Sequence, residues 1–301
     1  MSLTRSPNGN LIGILGGIIL SSDALFIRLM HFDTAWEIVF VRGLLMWSVC
    51  LAVWLCWRGS RATLGSPWLT RDNLLSTLFF CLASAGFVNA LHRGNVATVL
   101  VIISATPFIS ALISRIIFQV RIPRSLMLAA LVGITGVGVV LSGSGQAGGS
   151  ALANLYALGT AVAMALAFIF SARVSGGTLA LPSLGGVLAS LLILLWGGGD
   201  LLDHLRRLQP PQLGWALAEG ALIMPLAMGL ITLSTRYVSP ANAGLFLLLE
   251  TALAPLWIYL FLGERPSPQA VLGGAIIVSA VVGQSLWTRR QQQHTRYADA
   301  G

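Results

Sequence analysis

The chain has 301 residues, of which 56% are hydrophobic and only 9% are charged, and its mean hydropathy is +0.83. A soluble domain carries about a quarter charged residues, so this composition excludes a soluble fold and predicts a polytopic membrane protein. The formal net charge of +8 would favour a nucleic-acid partner in a soluble protein, but here the arginines occupy short gaps between apolar runs, where they are typical of topology signals.

A helix needs about 20 residues to cross the hydrocarbon core of a bilayer, and apolar runs near that length recur along the whole chain. Short gaps rich in Gly, Pro and Ser separate them, which is typical of tight connections. We therefore predict an all-α bundle of ten transmembrane helices. The predicted spans are 10–31, 35–57, 73–92, 95–119, 124–143, 151–174, 178–197, 213–235, 240–262 and 268–287.

The distribution of arginine predicts the orientation of this bundle. If the amino terminus is cytoplasmic, most arginines fall on the cytoplasmic side and Arg42 lies inside the membrane. The five that fall opposite are Arg28, Arg93, Arg206, Arg207 and Arg265. This bias fits the positive-inside rule with both termini in the cytoplasm.

An internal repeat relates the two halves of the chain at an offset of 144 residues, since Asn10 returns as Asn154 and Arg121 as Arg265. The same offset superposes spans one to five on spans six to ten. Because five is odd, the second copy must cross the membrane in the opposite sense, an arrangement typical of secondary transporters. The predicted units are a first repeat over 1–148, a second over 149–288, and a cytoplasmic tail over 289–301.

Charged residues inside the membrane cost about 3 kcal/mol each on insertion scales and usually face the protein interior or a wet cavity. The sequence contains five of them: Asp23, Glu37, Arg42, Glu219 and Glu250. Spans one and two form a hairpin that places Asp23 at the depth of Arg42 and Arg28 at the depth of Glu37. The two pairs either hold the hairpin together or, for Arg42, bind the carboxylate of a substrate in exchange for Asp23.

Glu250 has no basic residue in its own span, so any charged partner must come from another helix. It is either a protonated or hydrogen-bonded packing residue, or a site for a substrate ammonium or a coupling proton. It shares a helix face with two residues at i, i+4 spacing, and the repeat mates of all three share another face. These two faces, predicted to line a central cavity, are Asn242, Phe246 and Glu250, and Thr98, Ile102 and Thr106.

Two prolines lie inside predicted spans, Pro107 in the fourth and Pro255 in the ninth. Each removes a backbone hydrogen bond, so we predict helix kinks that shape either the packing or a cavity. Asn89, near the end of span three, completes the candidate substrate-binding or coupling residues. Cys50, Cys56 and Cys81 lack the spacing of a metal or redox motif, and we predict neither a metal nor a cofactor.

Several segments resemble the EamA module of the drug/metabolite transporter superfamily. They are NALHRGNVATVLVIISATPFISALISRIIF at 89–118, STRYVSPANAGLFLLLETALAPLWIYLFLGE at 234–264 and WEIVFVRG at 36–43. The resemblance implies a ten-helix carrier of the bacterial inner membrane with a central cavity between its halves, in many members an exporter of amino acids, drugs or other metabolites. The first copy departs from the pattern, because Phe118-Gln119-Val120-Arg121 replaces the Leu-Gly-Glu-Arg of 262–265.

We therefore expect a secondary transporter that exports small metabolites by alternating access. An amino acid, aromatic ones included, is the preferred substrate, because the resemblance implies amino-acid export in many members and because one acidic and one basic intramembrane group suit a zwitterion. Drug-like cations and nucleotide sugars remain alternatives. An intramembrane enzyme is disfavoured because the HExxH and GxSxG motifs are missing from the sequence, and a passive channel because no ring of like groups is indicated.

The expected partners are a small-molecule substrate and the lipid bilayer, with no nucleic acid. The sequence does not set the oligomeric state, and a monomer is compatible with it. No GxxxxGK[ST] loop is present, which disfavours direct drive by ATP. Whether flux is proton-coupled or facilitated is not encoded in these patterns.

Overall fold

The computed structural model describes residues 9–56, 70–94, 96–119, 123–142, 150–174, 178–206, 208–263 and 268–298. Within these ranges all regular secondary structure is helical, which confirms the all-α prediction. The helices are α1 (Gly9–Leu20), α2 (Asp23–Met30), α3 (Ala35–Cys56), α4 (Arg71–Arg93), α5 (Val96–Ile103), α6 (Thr106–Phe118), α7 (Arg124–Ser142), α8 (Ala151–Ser171), α9 (Leu181–Arg206), α10 (Pro210–Leu217), α11 (Met224–Ser234), α12 (Pro240–Leu262) and α13 (Pro268–Ala298). A short 3₁₀ turn, Thr178–Ala180, precedes α9.

Six helical stretches in the described ranges are long and apolar enough to cross a membrane: Gly9–Ile27, Ala35–Cys56, Arg71–Arg93, Ala151–Ser171, Pro210–Ser234 and Pro240–Phe261. Four shorter apolar stretches are Thr106–Ile117, Arg124–Gly136, Leu181–Trp196 and Val271–Gln284. Each of the ten predicted spans coincides with one of these. The number of crossings stays a prediction, because the four shorter stretches fall below the length that spans the hydrocarbon core.

The packing of the helices repeats between the two halves. Helix α1 packs against α11 and α12, and its counterpart in the second repeat, α8, packs against the equivalent α4 and α6. Helices α3 and α9, which are counterparts, pack on each other, as do α7 and α13. Exchange of the halves therefore preserves the contact pattern, as expected for two copies related by a pseudo-two-fold axis.

The larger buried apolar cluster joins both repeats and includes Leu20, Phe168, Ile231, Phe246 and Leu248. These side chains come from α1, α8, α11 and α12. The centre of the bundle is therefore built where the two copies meet, and this is also where the charged residues discussed below lie.

The first predicted span is not one continuous helix, because a turn at Ser21 and Ser22 separates α1 from α2. Ser21 Oγ donates to the carbonyl oxygen of Ile18 at 2.6 Å, and Ser22 Oγ donates to that of Ile19 at 2.8 Å. Hydroxyls that bind nearby carbonyl groups compete with the helical ladder. The break leaves α2 to start at Asp23.

The fourth predicted span is also broken, between Ile103 and Thr106, and α6 begins with Pro107 in its first turn. Thr106 Oγ1 donates to the carbonyl oxygen of Ile103 at 2.6 Å. Proline suits a first helical turn, since its missing N–H would have no partner there. Helix α12, in contrast, continues through Pro255 without interruption, so Pro107 marks a helix break and Pro255 does not.

A π-helical segment, Ala218–Ile223, separates α10 from α11 within the eighth predicted span. That span begins at Pro210 rather than at 213, after a capping box formed by Gln209 and Gln212. Single π turns inside α-helices are frequent at functional sites. The segment carries Glu219 into the centre of the bundle.

Two predicted helix ends differ from the structure. Helix α9 extends to Arg206, beyond the expected end at 197, and α13 continues to Ala298 through most of the segment expected to be a tail. Polar residues of good helix propensity can prolong a helix beyond the apolar core. Apolar length alone therefore underestimates these helices.

Helices α3 and α9 approach closely at Gly43, where an added Cβ would overlap the carbonyl oxygen of Gly186 and the hydroxyl of Ser190. Ser190 Oγ also donates to the carbonyl oxygen of Phe40 at 2.9 Å. We expect Gly43→Ala to destabilise the protein by about 1–3 kcal/mol through overpacking. Thermal unfolding in detergent measures this loss.

Gly159→Ala is the matched control, because an added Cβ at this position in α8 meets no other atom within 4 Å. Alanine has the higher helix propensity, so this change should be neutral or slightly stabilising. Equal melting temperatures for the two variants would contradict the close approach of α3 and α9.

Candidate functional site

Arg42 lies at the centre of the bundle and forms two buried ion pairs. Its Nη2 is 3.2 Å from Asp23 Oδ2, and its Nε is 3.1 Å from Glu219 Oε1. Arg42 is 6% exposed and both carboxylates are fully buried. Because Asp23 belongs to the first repeat and Glu219 to the second, Arg42 links the two copies.

Both acidic partners of Arg42 stand on irregular backbone. Asp23 is the first residue of α2, directly after the turn at Ser21 and Ser22. A carboxylate is stabilised at a helix N-terminus, where backbone N–H groups lack partners. Glu219 lies in the π-helical segment. Both carboxylates therefore lie where a helix is interrupted or irregular. At membrane depth such backbone is tolerated where it is buried in protein or lines a cavity.

A cavity of about 50 Å³, measured as space for the centre of a water molecule, adjoins this ion-pair network. Its charged lining comes from Asp23, Arg42 and Glu250, Ser84 adds a hydroxyl group, and its apolar lining includes Phe87 and Met228. A volume of this size holds a few water molecules, at about 10–15 Å³ each. Ligand pockets measure about 300–1,000 Å³, so the walls must move apart before a solute can bind.

Glu250 approaches the network from α12 and is 5% exposed. Its side chain lines the same cavity as those of Asp23 and Arg42. If all four side chains were ionised, the carboxylates of Asp23, Glu219 and Glu250 would outnumber the single guanidinium of Arg42 by two charges. A buried excess of this kind is costly unless a cation or a proton offsets it.

Three polar atoms of the residues lining the cavity make no hydrogen bond within the described part of the chain: Asp23 Oδ1, Arg42 Nη1 and Glu250 Oε1. Buried donors and acceptors without partners are destabilising. Together they provide one guanidinium nitrogen that can bind a carboxylate and two carboxyl oxygens that can accept from an ammonium group. The residues lining the cavity therefore suit a zwitterion.

Of the α12 face predicted to line the cavity, only Glu250 does so. Phe246 is 1% exposed and packs against Gly13 of α1 so closely that an added Cβ there would overlap its ring. Asn242 is buried in the first turn of α12, where its N–H donates to Ser239 Oγ at 3.3 Å. This face thus serves mainly to pack α12 against its neighbours.

The equivalent face in the first repeat is also placed differently from the expectation. Ile103, rather than Ile102, lines the cavity, and Ile102 packs against the second buried apolar cluster. Thr106 satisfies the carbonyl group freed at that break. The side chain of Thr98 lies outside the part of the chain that the structure describes.

Asn89 is fully buried, and its Nδ2 donates to the carbonyl oxygen of Ala85 at 2.9 Å. Phe87 takes the place on the cavity wall instead. Glu37 is 2% exposed, but the side chain of Arg28 lies outside the described residues, so their predicted pairing stays a prediction. Asp23, Arg42 and Glu250 are the predicted site residues that the structure brings together.

Sequence reasoning missed two parts of this site. Glu219 was recognised as an intramembrane acid but was not assigned to the site, since nothing in its own span shows which helix it faces. The second part is a group of four methionines on the apolar wall: Met46, Met164, Met224 and Met228. Their signal in the sequence is weak, because single methionines are common core residues.

Comparison with known proteins agrees with this architecture. The model of the EamA-like transporter family matches the chain twice, over residues 7–142 and 151–286. A solved structure, "Crystal structure of protein", is similar in fold with a TM-score of 0.74, shares 19% sequence identity, and aligns over 94% of this chain and 98% of its own. No curated protein matches the chain. Because the family model covers nearly the whole sequence in two copies, the chain belongs to the EamA-like transporter family of the drug/metabolite transporter superfamily and is a multi-pass membrane protein.

Proposed function

We propose that this transporter is a secondary carrier that exports small zwitterionic metabolites, amino acids with aromatic ones among them, across the bacterial inner membrane. The observation that carries the proposal is the buried guanidinium of Arg42, shared by Asp23 and Glu219 beside a cavity at the junction of the repeats. Membership of a transporter family supports the transport of a solute. The choice of solute comes from the chemistry of the lining residues.

In the proposed mechanism the solute competes for the ion pairs of Arg42. Its carboxylate replaces Glu219 on the guanidinium, and its ammonium group binds carboxyl oxygens of Asp23 and Glu250. Because the Arg42–Glu219 pair joins the two repeats, its exchange loosens one contact between them. The halves then rock around the midplane site and expose it to alternate sides of the membrane, with both chain termini in the cytoplasm.

A second candidate function, efflux of drug-like cations, is favoured by the excess of carboxylates in the site. A cation would bind Asp23 and Glu250 without needing Arg42 as a ligand. The two functions therefore differ in what the site recognises. A zwitterionic solute is bound through both its carboxylate and its ammonium group, whereas a cationic solute is bound through its ammonium group alone.

Purified protein in liposomes tests this proposal with a radiolabelled amino-acid panel. We expect saturable uptake that unlabelled phenylalanine inhibits at least about tenfold better than phenethylamine or phenylpropionate, each of which lacks one charged group. A hydrogen bond to a charged group is worth roughly 1.5–3 kcal/mol. Equal inhibition by phenethylamine would favour cation efflux, and failure to transport any amino acid would refute the proposed substrate class.

A further inference from the structure

Methionine is concentrated on the wall of the central cavity, where four of the seven methionines of the chain lie. This methionine wall consists of Met46 from α3, Met164 from α8, and Met224 and Met228 from α11, and so draws on both repeats. Three of its members are almost fully buried, at 3%, 5% and 4% exposure for Met46, Met224 and Met228. Methionine is therefore enriched where a solute would place its side chain.

The physical properties of methionine suit a wall that must move. Its unbranched side chain has three rotatable bonds and a polarisable sulfur, so it adapts to irregular shapes and contacts aromatic rings favourably. The cavity of about 50 Å³ is too small for an amino acid. Rotation of methionine side chains can fit this wall to the solute as the cavity walls move apart, whereas branched side chains have fewer accessible rotamers.

The wall also contacts the ionic network directly. Met224 Sδ accepts a hydrogen bond from Arg42 Nη2 at 2.8 Å, and the same nitrogen donates to Asp23 Oδ2. The ring centroid of Phe87 lies 5.8 Å from Arg42 Cζ, a distance at which a cation and an aromatic ring attract. The charged end of the site is thus held by directional contacts, while the apolar end is deformable.

We infer that the methionine wall determines the specificity of the carrier. The charged residues bind the ammonium and carboxylate groups of the solute in one fixed arrangement, while the methionine wall accepts apolar side chains of different shapes. This inference rests on the proposed function. The substrate class is α-amino acids with medium or large apolar side chains, whether linear, branched or aromatic. Flexible, methionine-rich surfaces are used in this way by proteins that bind many partners.

Competition for uptake by norleucine, isoleucine, phenylalanine and tryptophan tests the inference. In the wild type the four half-inhibitory concentrations should lie within about tenfold of one another. In the triple variant Met46→Leu/Met164→Leu/Met228→Leu the spread should reach about 100-fold, because a stiffer apolar pocket discriminates by roughly 10–200-fold for each methylene. Met224 is retained because it binds Arg42, and Met→Leu changes conserve volume.

Met30→Leu is the matched control, since Met30 is buried in a different apolar cluster from Met46 and Met228 and does not itself line the cavity. The spread of the half-inhibitory concentrations in this variant should equal that of the wild type. The single variant Met228→Leu should widen the spread in the same direction by a smaller factor, so the test does not depend on the folding of the triple variant. An unchanged spread in variants that still transport would overturn the inference and leave the proposed function intact. No amino-acid uptake by the wild type would instead overturn both.

Discussion

Arg42→Ala is expected to abolish amino-acid uptake and to lower the free energy of unfolding by about 3–5 kcal/mol, the cost of breaking a buried ion pair. The loss arises because Asp23 and Glu219, both fully buried, would have no cation opposite them and must either stay charged at high cost or take up protons. Uptake fails for a separate reason, since the solute carboxylate loses its only guanidinium partner at the cavity. Liposome flux and thermal unfolding in detergent measure the two effects independently.

A charge-neutral variant separates stability from transport. Asp23→Asn/Arg42→Met/Glu219→Gln removes the guanidinium together with both carboxylates, and buried ion pairs can often be replaced in this way with little loss of stability. We expect its melting temperature to recover most of the loss seen in Arg42→Ala, while uptake stays absent. Recovery of uptake along with stability would mean that Arg42 only holds the hairpin of α1, α2 and α3 together.

Glu250→Gln is expected to abolish accumulation driven by a pH gradient while leaving exchange of labelled for unlabelled solute in place. Glutamine keeps the shape of the side chain and an amide oxygen that can still accept from the solute ammonium group, but it cannot carry a proton. In liposomes one pH unit more acidic inside, exchange of one proton per solute sustains an accumulation of at most about tenfold, equivalent to 1.4 kcal/mol. In the Glu250→Gln variant the ratio of internal to external solute concentration should stay at about one.

Glu250→Asp is the control for this experiment, because it keeps a titratable carboxyl group at the same position. It should retain gradient-driven accumulation at a reduced rate. If Glu250→Gln instead lost exchange as well, the carboxyl group of Glu250 would be indispensable for solute binding or for the structure, and a separate role in proton coupling would be contradicted. Full accumulation by the glutamine variant would exclude Glu250 from coupling.

The Asp23–Arg42 pair was predictable from the sequence because a hairpin of two apolar helices fixes depth. Residues at similar distances from the turn near Asp33 lie at similar depth, and the cost of burying a charge favours pairing between them. Glu219 was not predictable as the third member of the network. Its approach to Arg42 depends on how the second repeat packs on the first, which the periodicity of a single span does not encode.

The sequence also did not predict which neighbouring elements each face of α12 contacts. Spacing of i, i+4 correctly puts Asn242, Phe246 and Glu250 on one side of the helix, but residues 241–251 are all buried. A helix that is apolar and buried all round gives no signal for which neighbour each face contacts. The structure places this face largely against α1 and leaves only Glu250 at the cavity.

Helix breaks show another limit of prediction from the sequence. The interruption before α6 is marked by Pro107, whereas the one between α1 and α2 has neither glycine nor proline and depends on hydroxyl-to-carbonyl hydrogen bonds of Ser21 and Ser22. Serine occurs in many uninterrupted membrane helices, so its presence alone does not predict a break. That break is what makes Asp23 the first residue of a helix at the central cavity.

Equilibrium binding of radiolabelled phenylalanine to the detergent-solubilised protein tests most directly whether the network around Arg42 is the solute site. The comparison is between the wild type and the charge-neutral variant Asp23→Asn/Arg42→Met/Glu219→Gln, each first shown to be folded by its thermal transition. The account predicts saturable binding at one site in the wild type and none in the variant. Binding of equal affinity in both proteins would contradict it.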